Sequence, residues 1–220
     1  MSASLATFVD RHTMRHVRVY PHPVDRVWKA ITDDKQVSQW FGFPVRFDLK
    51  VGGKCAWGPE PNVFYQTTIT ELEPKTLIVH SNDDGYQRFE LTDQADGCRF
   101  DYVQHFFPGK GLIPEDPDMP GSDAPGGPDT PWHPNFVGGF HAIWDNLANF
   151  LDGAPLERGQ EPSDRFVREV IDNWLWRQTN FEGLSEAIAA DYRRQLYGTA
   201  RWNELNQIYR DHIRDTIPSQ

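Results

Sequence analysis

Four side chains in the middle of the sequence, between residues 102 and 141, could supply acid, base or orienting groups to an apolar site. In CRFDYVQHFF, strand alternation places Tyr102 and Gln104 on the same face as Phe100. A buried amide needs a hydrogen-bond partner, which for Gln104 would be a ligand, a water molecule or Tyr102 itself. His133 and His141 bring imidazole groups, whose ordinary pKa of about 6.5 suits a general acid or base. These four are the candidate catalytic residues.

Other kinds of chemistry find less support. His80, at the end of TLIVHS, could face either side of a strand, and an exposed strand-end histidine is the simpler interpretation. The segment EDPDMPGSD (115–123) gathers carboxylates at a spacing that fits neither an EF-hand nor a zinc site. Cys55 and Cys98 form no CxxC motif, and GxSxG, GxxxxGK[ST] and GxGxxG are absent. We therefore expect no metal and no cofactor.

Aromatic residues indicate what the site would bind. In NFVGGFHAIWDNLANFLDG (135–153), helical spacing places Phe140 and Trp144 on one stripe. Gly138 and Gly139 precede this stripe, although each glycine costs a helix interior about 0.5–1 kcal/mol relative to alanine. They either leave room at a cavity mouth or let the helix start pack closely on the sheet. The predicted ligand-binding residues, suited to flat hydrophobic or aromatic molecules, are Trp40, Trp57, Phe89, Phe100, Trp132, Gly139, Phe140 and Trp144.

The elements that position these residues follow from periodicity. Alternation predicts a strand over 15–20, and helical spacing predicts short helices over 24–34 and 35–41. Short β-rich runs broken by turn signals over 45–107 predict an antiparallel meander. Residues 108–135 are rich in proline, glycine and aspartate and predict a long loop, after which a helix follows over 136–152. Amphipathic patterns over 164–179, 183–197 and 199–215 predict three further helices.

Composition limits the class of protein. The chain of 220 residues is 38% hydrophobic and carries a formal net charge of −10, which predicts a globular fold and argues against a nucleic-acid partner. No apolar run reaches the roughly 18–20 residues of a membrane span, and the N-terminus lacks the apolar region of a signal peptide. We therefore expect a cytoplasmic protein that does not bind a membrane.

Four motifs resemble one known family. The segments PHPVDRVWKAITDDKQVSQWFG (21–42), VRFDLKVGGKCAW (45–57), ITELEPKTLIVHS (69–81) and GFHAIWDNLANFLDG (139–153) resemble the START/polyketide-cyclase (SRPBCC) superfamily. Within it, they resemble the branch named for the activator of the heat-shock-protein-90 ATPase. The resemblance implies an α+β helix-grip fold over 14–153, interrupted by the insert 108–135, with a C-terminal helical appendage over 160–220.

Three functions are compatible with this resemblance. The protein could bind a small hydrophobic or aromatic molecule in a cavity between the sheet and the closing helix. It could instead be a cyclase, aromatase or dehydratase that uses the same cavity, or a chaperone-associated interaction factor that uses its outer surface. The exposed apolar stripes of the C-terminal helices further predict a homodimer, with docking of these helices on the helix-grip domain as the alternative.

Overall fold

The computed structural model describes residues 4–41, 44–57, 63, 65–111, 130–156 and 200–217. The strands are β1 Thr7–Asp10, β2 Thr13–Tyr20, β3 Val45–Phe47, β4 Lys54–Trp57, β5 Tyr65–Glu73, β6 Leu77–Asn82, β7 Gly85–Gln94 and β8 Gly97–Phe106. The helices are α1 Val24–Thr32, α2 Asp34–Trp40, α3 Pro134–Asp152 and α4 Ala200–Thr216. The helices predicted over 164–179 and 183–197 lie outside the described residues.

The strands form one antiparallel sheet in the order β1-β2-β8-β7-β6-β5-β4-β3. β2 pairs with β8, and the chain passes from β2 through α1 and α2 to β3 at the opposite edge of the sheet. From there, β3 to β8 follow one another as the predicted meander. The long helix α3 packs against β2, α1 and α2. The α+β helix-grip fold with a C-terminal helical extension is therefore confirmed.

The two short helices are fixed by specific caps and contacts. Pro23 immediately precedes α1, and its carbonyl accepts the Val27 N–H at 3.2 Å. Between the helices, the Asp33 carboxylate accepts the Gln36 N–H at 3.0 Å and caps α2. The Trp40 indole N–H then donates to the Ala30 carbonyl at 2.9 Å. This bond orients Trp40 at the end of α2 toward the interior.

The inner face of β2 departs from a simple hydrophobic pattern. Val17 and Val19 are the apolar residues at the centre of this strand, yet Val19 is 48% exposed. His16, Arg18 and Tyr20 are buried instead. His16 stands opposite Tyr102 in β8, and Arg18 stands opposite Phe100. Two polar residues thus point into the interior beside the predicted site. The sequence pattern did not predict β1. This short strand pairs with β2 and forms the edge of the sheet.

The helix predicted over 199–215 is present as α4 and docks on α3 of its own chain. It buries Leu205, Tyr209 and Ile213, which are spaced four residues apart. A Cβ on Gly138 would lie only 2.9 Å from the Asn206 side-chain oxygen and 3.4 Å from its backbone nitrogen. Gly138 therefore serves close packing, although against α4 and not against the sheet.

Candidate functional site

The middle of the contact between sheet and α3 is filled by aromatic rings. Tyr102 stacks on Phe140 with a centroid distance of 5.1 Å and lies 4.8 Å from Trp144. Phe89 approaches Tyr102 at 5.1 Å, and Phe100 approaches Trp144 at 5.0 Å. These direct contacts bring together five of the residues selected from the sequence. They form a packed wall, so a ligand would have to lie beside this wall.

Tyr102 and Gln104 satisfy each other. The Tyr102 hydroxyl donates to the Gln104 side-chain oxygen at 3.0 Å. The Gln104 amide nitrogen lies 3.3 Å from the His105 carbonyl and 3.4 Å from the Tyr86 carbonyl. Burial raises the pKa of Tyr102 well above its usual value, so the phenol is neutral. Of the partners considered for Gln104, the structure provides Tyr102.

Beside this wall, six side chains form a closed series of ring neighbours, here named the aromatic cycle. Successive centroid distances around the cycle lie between 4.9 and 6.1 Å. In order, its members are Trp40, Phe41, Trp57, His80, Phe89 and Trp144. No ring contact joins opposite members among these six described side chains. The cycle spans α2, β4, β6, β7 and α3, and it contains four of the predicted ligand-binding residues.

Polar atoms in the aromatic cycle lack partners. Trp57 Nε1, Trp144 Nε1 and His80 Nδ1 are buried and make no hydrogen bond to any part of the chain that the structure describes. Leaving such a group unsatisfied in the interior costs about 1–3 kcal/mol each, so native proteins rarely do so without a reason. These three ring nitrogens therefore distinguish the aromatic cycle from the packed wall beside it, in which Tyr102 and Gln104 satisfy each other.

His80 is the residue that the sequence interpretation placed wrongly. It is 1% exposed, stacks on Phe89 at 5.4 Å and faces the interior, so the exposed strand-end histidine is corrected. Its orientation follows from the register, since His80 stands opposite Ile69 and Gln87, which are both buried. Burial lowers the pKa of His80 to about 3, and the imidazole is therefore neutral near pH 7.

Trp132 and His133 lie just before α3. Trp132 is fully buried and packs on Phe8 at 5.8 Å and on Phe106 at 5.5 Å. His133 is 4% exposed, and its carbonyl accepts the Val137 N–H at 3.0 Å. This end of the insert is thus anchored in the core between β1, β8 and α3. Gly139 is half-buried on α3, and residues 112–129 of the insert lie outside the described residues.

His141 faces away from Gln104, toward α4. Its Nδ1 lies 2.8 Å from the Tyr209 hydroxyl, and its Nε2 lies 3.7 Å from an Asp145 oxygen. Burial, followed by the nearby Arg18 and Arg201, lowers the pKa of His141 to about 3. The four candidate catalytic residues therefore occupy three places. Tyr102 and Gln104 lie together, whereas His133 and His141 are each elsewhere.

Sequence reasoning overlooked Phe41, His16 and Arg18 as inward-facing residues. Alternation in TMRHVRVY already places His16, Arg18 and Tyr20 on one face. The opposite face holds two valines, however, and hydropathy alone assigns the valines to the core. The signal available in the sequence was Tyr20, a large aromatic residue that alternation places on the same face of the strand as His16 and Arg18.

An antiparallel sheet closed on one long helix, with aromatic side chains between them, defines a helix-grip protein. The sequence model of one family of this class, described as "Activator of Hsp90 ATPase homolog 1-like protein", matches residues 21–152. This match covers more than half of the chain, and the protein belongs to this family. The family points to a ligand-binding fold.

Several solved structures are similar to part of this chain at low sequence identity. A Nitrosomonas europaea protein is 16% identical, with a TM-score of 0.47 over 66% of this chain and 97% of its own. CalU16 from Micromonospora echinospora is 19% identical, with a TM-score of 0.45 over 63% of this chain and 75% of its own. A Chromobacterium violaceum protein is 22% identical, with a TM-score of 0.45 over 64% of this chain and 98% of its own.

No curated protein matches the sequence. None of the described helices combines the length and the apolar character that a membrane span requires.

Proposed function

We propose that this protein binds a small, flat, hydrophobic or aromatic molecule that carries at least one polar group, held by the aromatic cycle between the sheet and α3. The observation that carries the proposal is the set of buried ring nitrogens of Trp57, His80 and Trp144, which have no partner in the part of the chain that the structure describes. Aromatic rings supply apolar contact area, while a few placed polar atoms select and orient the ligand.

The chemistry of these nitrogens defines the ligand further. An indole N–H only donates, so Trp57 and Trp144 require an acceptor such as a carbonyl or hydroxyl oxygen. Neutral His80 can accept through one nitrogen and donate through the other. The aromatic cycle contains no charged side chain. A neutral phenol or ketone fits this set better than an ion.

Binding of 2-naphthol and naphthalene to the intact protein, followed by quenching of tryptophan fluorescence, tests the proposal. We expect 2-naphthol to bind about tenfold more tightly, because its hydroxyl satisfies one buried nitrogen. His80→Phe keeps the ring contacts and should remove this preference. His105→Phe is the matched control, since His105 also stacks on an aromatic ring, Tyr86, at 4.9 Å, but lies on the outer face. Equal affinities of wild type for the two compounds would refute the proposal.

A catalytic role in cyclisation or dehydration is a second candidate, favoured by one observation. His80 is a neutral imidazole with a buried nitrogen that has no partner in the described structure. A ligand hydroxyl bound there would meet a neutral imidazole nitrogen that can accept a hydrogen bond and orient the hydroxyl for reaction. Tyr102 and Gln104 would act from the neighbouring wall only after their mutual bond opens. Conversion of a bound polyketide-like ketone, lost in His80→Phe and kept in His105→Phe, would support this candidate.

The homodimer remains a prediction. The apolar stripe of α4 is buried within the same chain, so it no longer argues for a second copy. The prediction now rests on the segments 164–179 and 183–197, which lie outside the described residues. Light scattering on the intact chain tests it, and a monomeric mass at micromolar concentration would discard the dimer.

A further inference from the structure

Arg18 is held rigidly on the inner face of β2. One of its terminal nitrogens, Nη1, donates to the Ser4 carbonyl at 2.8 Å and to the Val17 carbonyl at 3.0 Å. The residue is only 7% exposed. Two carbonyls thus fix one side of the guanidinium group and determine the direction in which its remaining N–H groups point.

The other edge of the same guanidinium group has no partner among the residues that the structure describes. Arg18 Nε and Nη2 are buried, and neither makes a hydrogen bond within the described part of the chain. Arg15, three positions earlier on the outer face of β2, shows what this edge normally holds. There, Nε donates to one oxygen of Asp101 at 2.7 Å, and Nη2 donates to the other oxygen. A carboxylate thus occupies the Nε and Nη2 edge of Arg15, whereas no described residue occupies the same edge of Arg18.

The groups around Arg18 offer more donors than acceptors. His16 is fully buried, and neither of its ring nitrogens has a partner among the described residues. The Tyr209 hydroxyl accepts the Ala6 N–H at 2.8 Å, so its own proton is directed to His141 Nδ1. His141 therefore carries its proton on Nε2, which makes no hydrogen bond within the described residues and lies 3.7 Å from an Asp145 oxygen. His16 on β2 and His141 on α3 thus carry donor groups for which the described residues provide no acceptor within hydrogen-bond distance.

The surrounding charges favour an anion. Asp145 on α3 and Arg201 on α4 approach each other at 3.4 Å, and both are partly exposed. His212 on α4 binds the Ala6 carbonyl at 2.6 Å. Arg201 is paired with Glu204 at 2.8 Å as well as with Asp145, whereas Arg18 makes no ion pair with a carboxylate among the described residues. Burial strengthens the attraction of this unpaired guanidinium charge for an anion.

We propose that Arg18, His16 and His141 form a binding site for the carboxylate group of a small molecule, here named the Arg18 site. The two carboxylate oxygens accept from Arg18 Nε and Nη2 in the same side-on geometry that Asp101 adopts on Arg15. His141 Nε2 and one nitrogen of His16 supply further donors. Phe100 and Tyr102, the neighbours of Arg18 and His16 in β8, separate this site from the aromatic cycle. The site is therefore independent of the proposed function.

Acetate and benzoate serve as probes on the intact wild-type protein. We expect the Arg18 Nε–H resonance in nitrogen-15 NMR spectra to shift saturably with either probe. Sodium chloride at the same ionic strength should leave it in place. No saturable shift up to about 100 mM acetate would overturn the proposal, because a simple carboxylate–guanidinium site fills in this range.

Two matched variants connect binding with the geometry. Arg18→Lys keeps the charge but loses the planar pair of donors, and it should weaken benzoate binding at least about tenfold. Arg15→Lys, on the outer face of the same strand, should leave benzoate affinity unchanged. Equal affinity in Arg18→Lys and wild type would overturn the proposal. If Arg18→Lys does not fold, a crystal structure of the wild type grown in acetate decides. Acetate on Nε and Nη2 supports the site, whereas ordered water alone overturns it.

Discussion

The two sides of α3 bury polar atoms in opposite ways. Toward α2, β4 and β6, the aromatic cycle holds three neutral ring nitrogens among apolar rings. Toward β2 and α4, the Arg18 site holds a fixed guanidinium group between two neutral histidines. Neutral donors in an aromatic environment select neutral flat ligands, while a buried positive charge selects an anion. One helix thus separates two environments of different chemistry.

One aromatic residue, Trp144, lies where the two environments meet. Trp144 belongs to the aromatic cycle, contacts Phe100 and Tyr102, and accepts a hydrogen bond from the Tyr20 hydroxyl at its carbonyl, at 3.2 Å. Its ring is therefore part of the wall, with Phe100 and Tyr102, that separates the two environments. The variants below separate effects on the wall from effects on either side.

The largest effect is expected from removing that wall. Trp144→Ala deletes a fully packed indole and should lower the free energy of unfolding by about 3–5 kcal/mol. Urea titration measures this loss. Because both environments share the wall, binding of 2-naphthol and of benzoate should both weaken. Loss of only one of these affinities would show that Trp144 belongs to one side alone.

A smaller effect, confined to the α4 side, is expected from Tyr209→Phe. The change leaves the Ala6 N–H and His141 Nδ1 without a partner, at about 1–3 kcal/mol for each buried group. Urea titration should therefore show a loss of about 2 kcal/mol or more, with 2-naphthol binding unchanged. Tyr86→Phe, in β7, is the control and should change stability by less than about 0.5 kcal/mol. A similar loss in both variants would contradict the hydrogen-bond role of Tyr209.

Substitutions of the adjacent Gly138 and Gly139 on α3 test the α4 side and the aromatic cycle separately. Gly138→Val forces a side chain against Asn206 and should cost about 1–3 kcal/mol, with faster amide exchange in α4. Gly139 is one residue further around the helix, on the face of Asn146, whose amide donates to the Trp40 carbonyl at 3.4 Å. Gly139→Leu should therefore block 2-naphthol binding while α4 stays protected. Unchanged 2-naphthol binding in Gly139→Leu would place the ligand elsewhere or nowhere in the protein.

The sequence was sufficient for the fold because its signals are local and repeated. Period-two runs over 45–107 became β3 to β8, and the stripe of Phe140 and Trp144 became the inner face of α3. Turn signals such as Glu73-Pro74-Lys75 fell between β5 and β6, where Lys75 has φ 68°. Such patterns predict the order of elements without knowledge of their distant partners.

The site was less accessible from the sequence because it depends on long-range contacts. Gln104 finds its partner two residues away, but His141 finds Tyr209 across 68 positions on a helix that the family resemblance did not cover. Arg18 is buried only because α4 and the N-terminal segment close over β2. The inward orientation of His80 follows from the register of β6 with β7. No local pattern contains this information.

The last expected effect concerns pH and distinguishes the histidines on the two sides of α3. Burial lowers the pKa of His80 and of His141 to about 3 and lowers that of His16 as well. In the unfolded chain, these histidines bind protons below about pH 6.5, whereas the native protein excludes the protons. Stability should therefore fall as the pH drops from about 6.5 toward 3, by up to about 1.4 kcal/mol per pH unit for each histidine.

Urea midpoints measured between about pH 7 and 5 provide the slope. His80→Phe should reduce the slope of stability against pH by the contribution of one histidine, because it removes the titrating group from the aromatic cycle alone. Saturating benzoate should also reduce the slope, since an anion beside His16 and His141 favours their protonated forms and raises their pKa. The two reductions should add, because the histidines involved lie on opposite sides of Trp144. If benzoate left the slope unchanged in His80→Phe, the carboxylate would not lie beside these two histidines. A slope equal in His80→Phe and wild type would instead show that His80 accepts a proton in the folded protein.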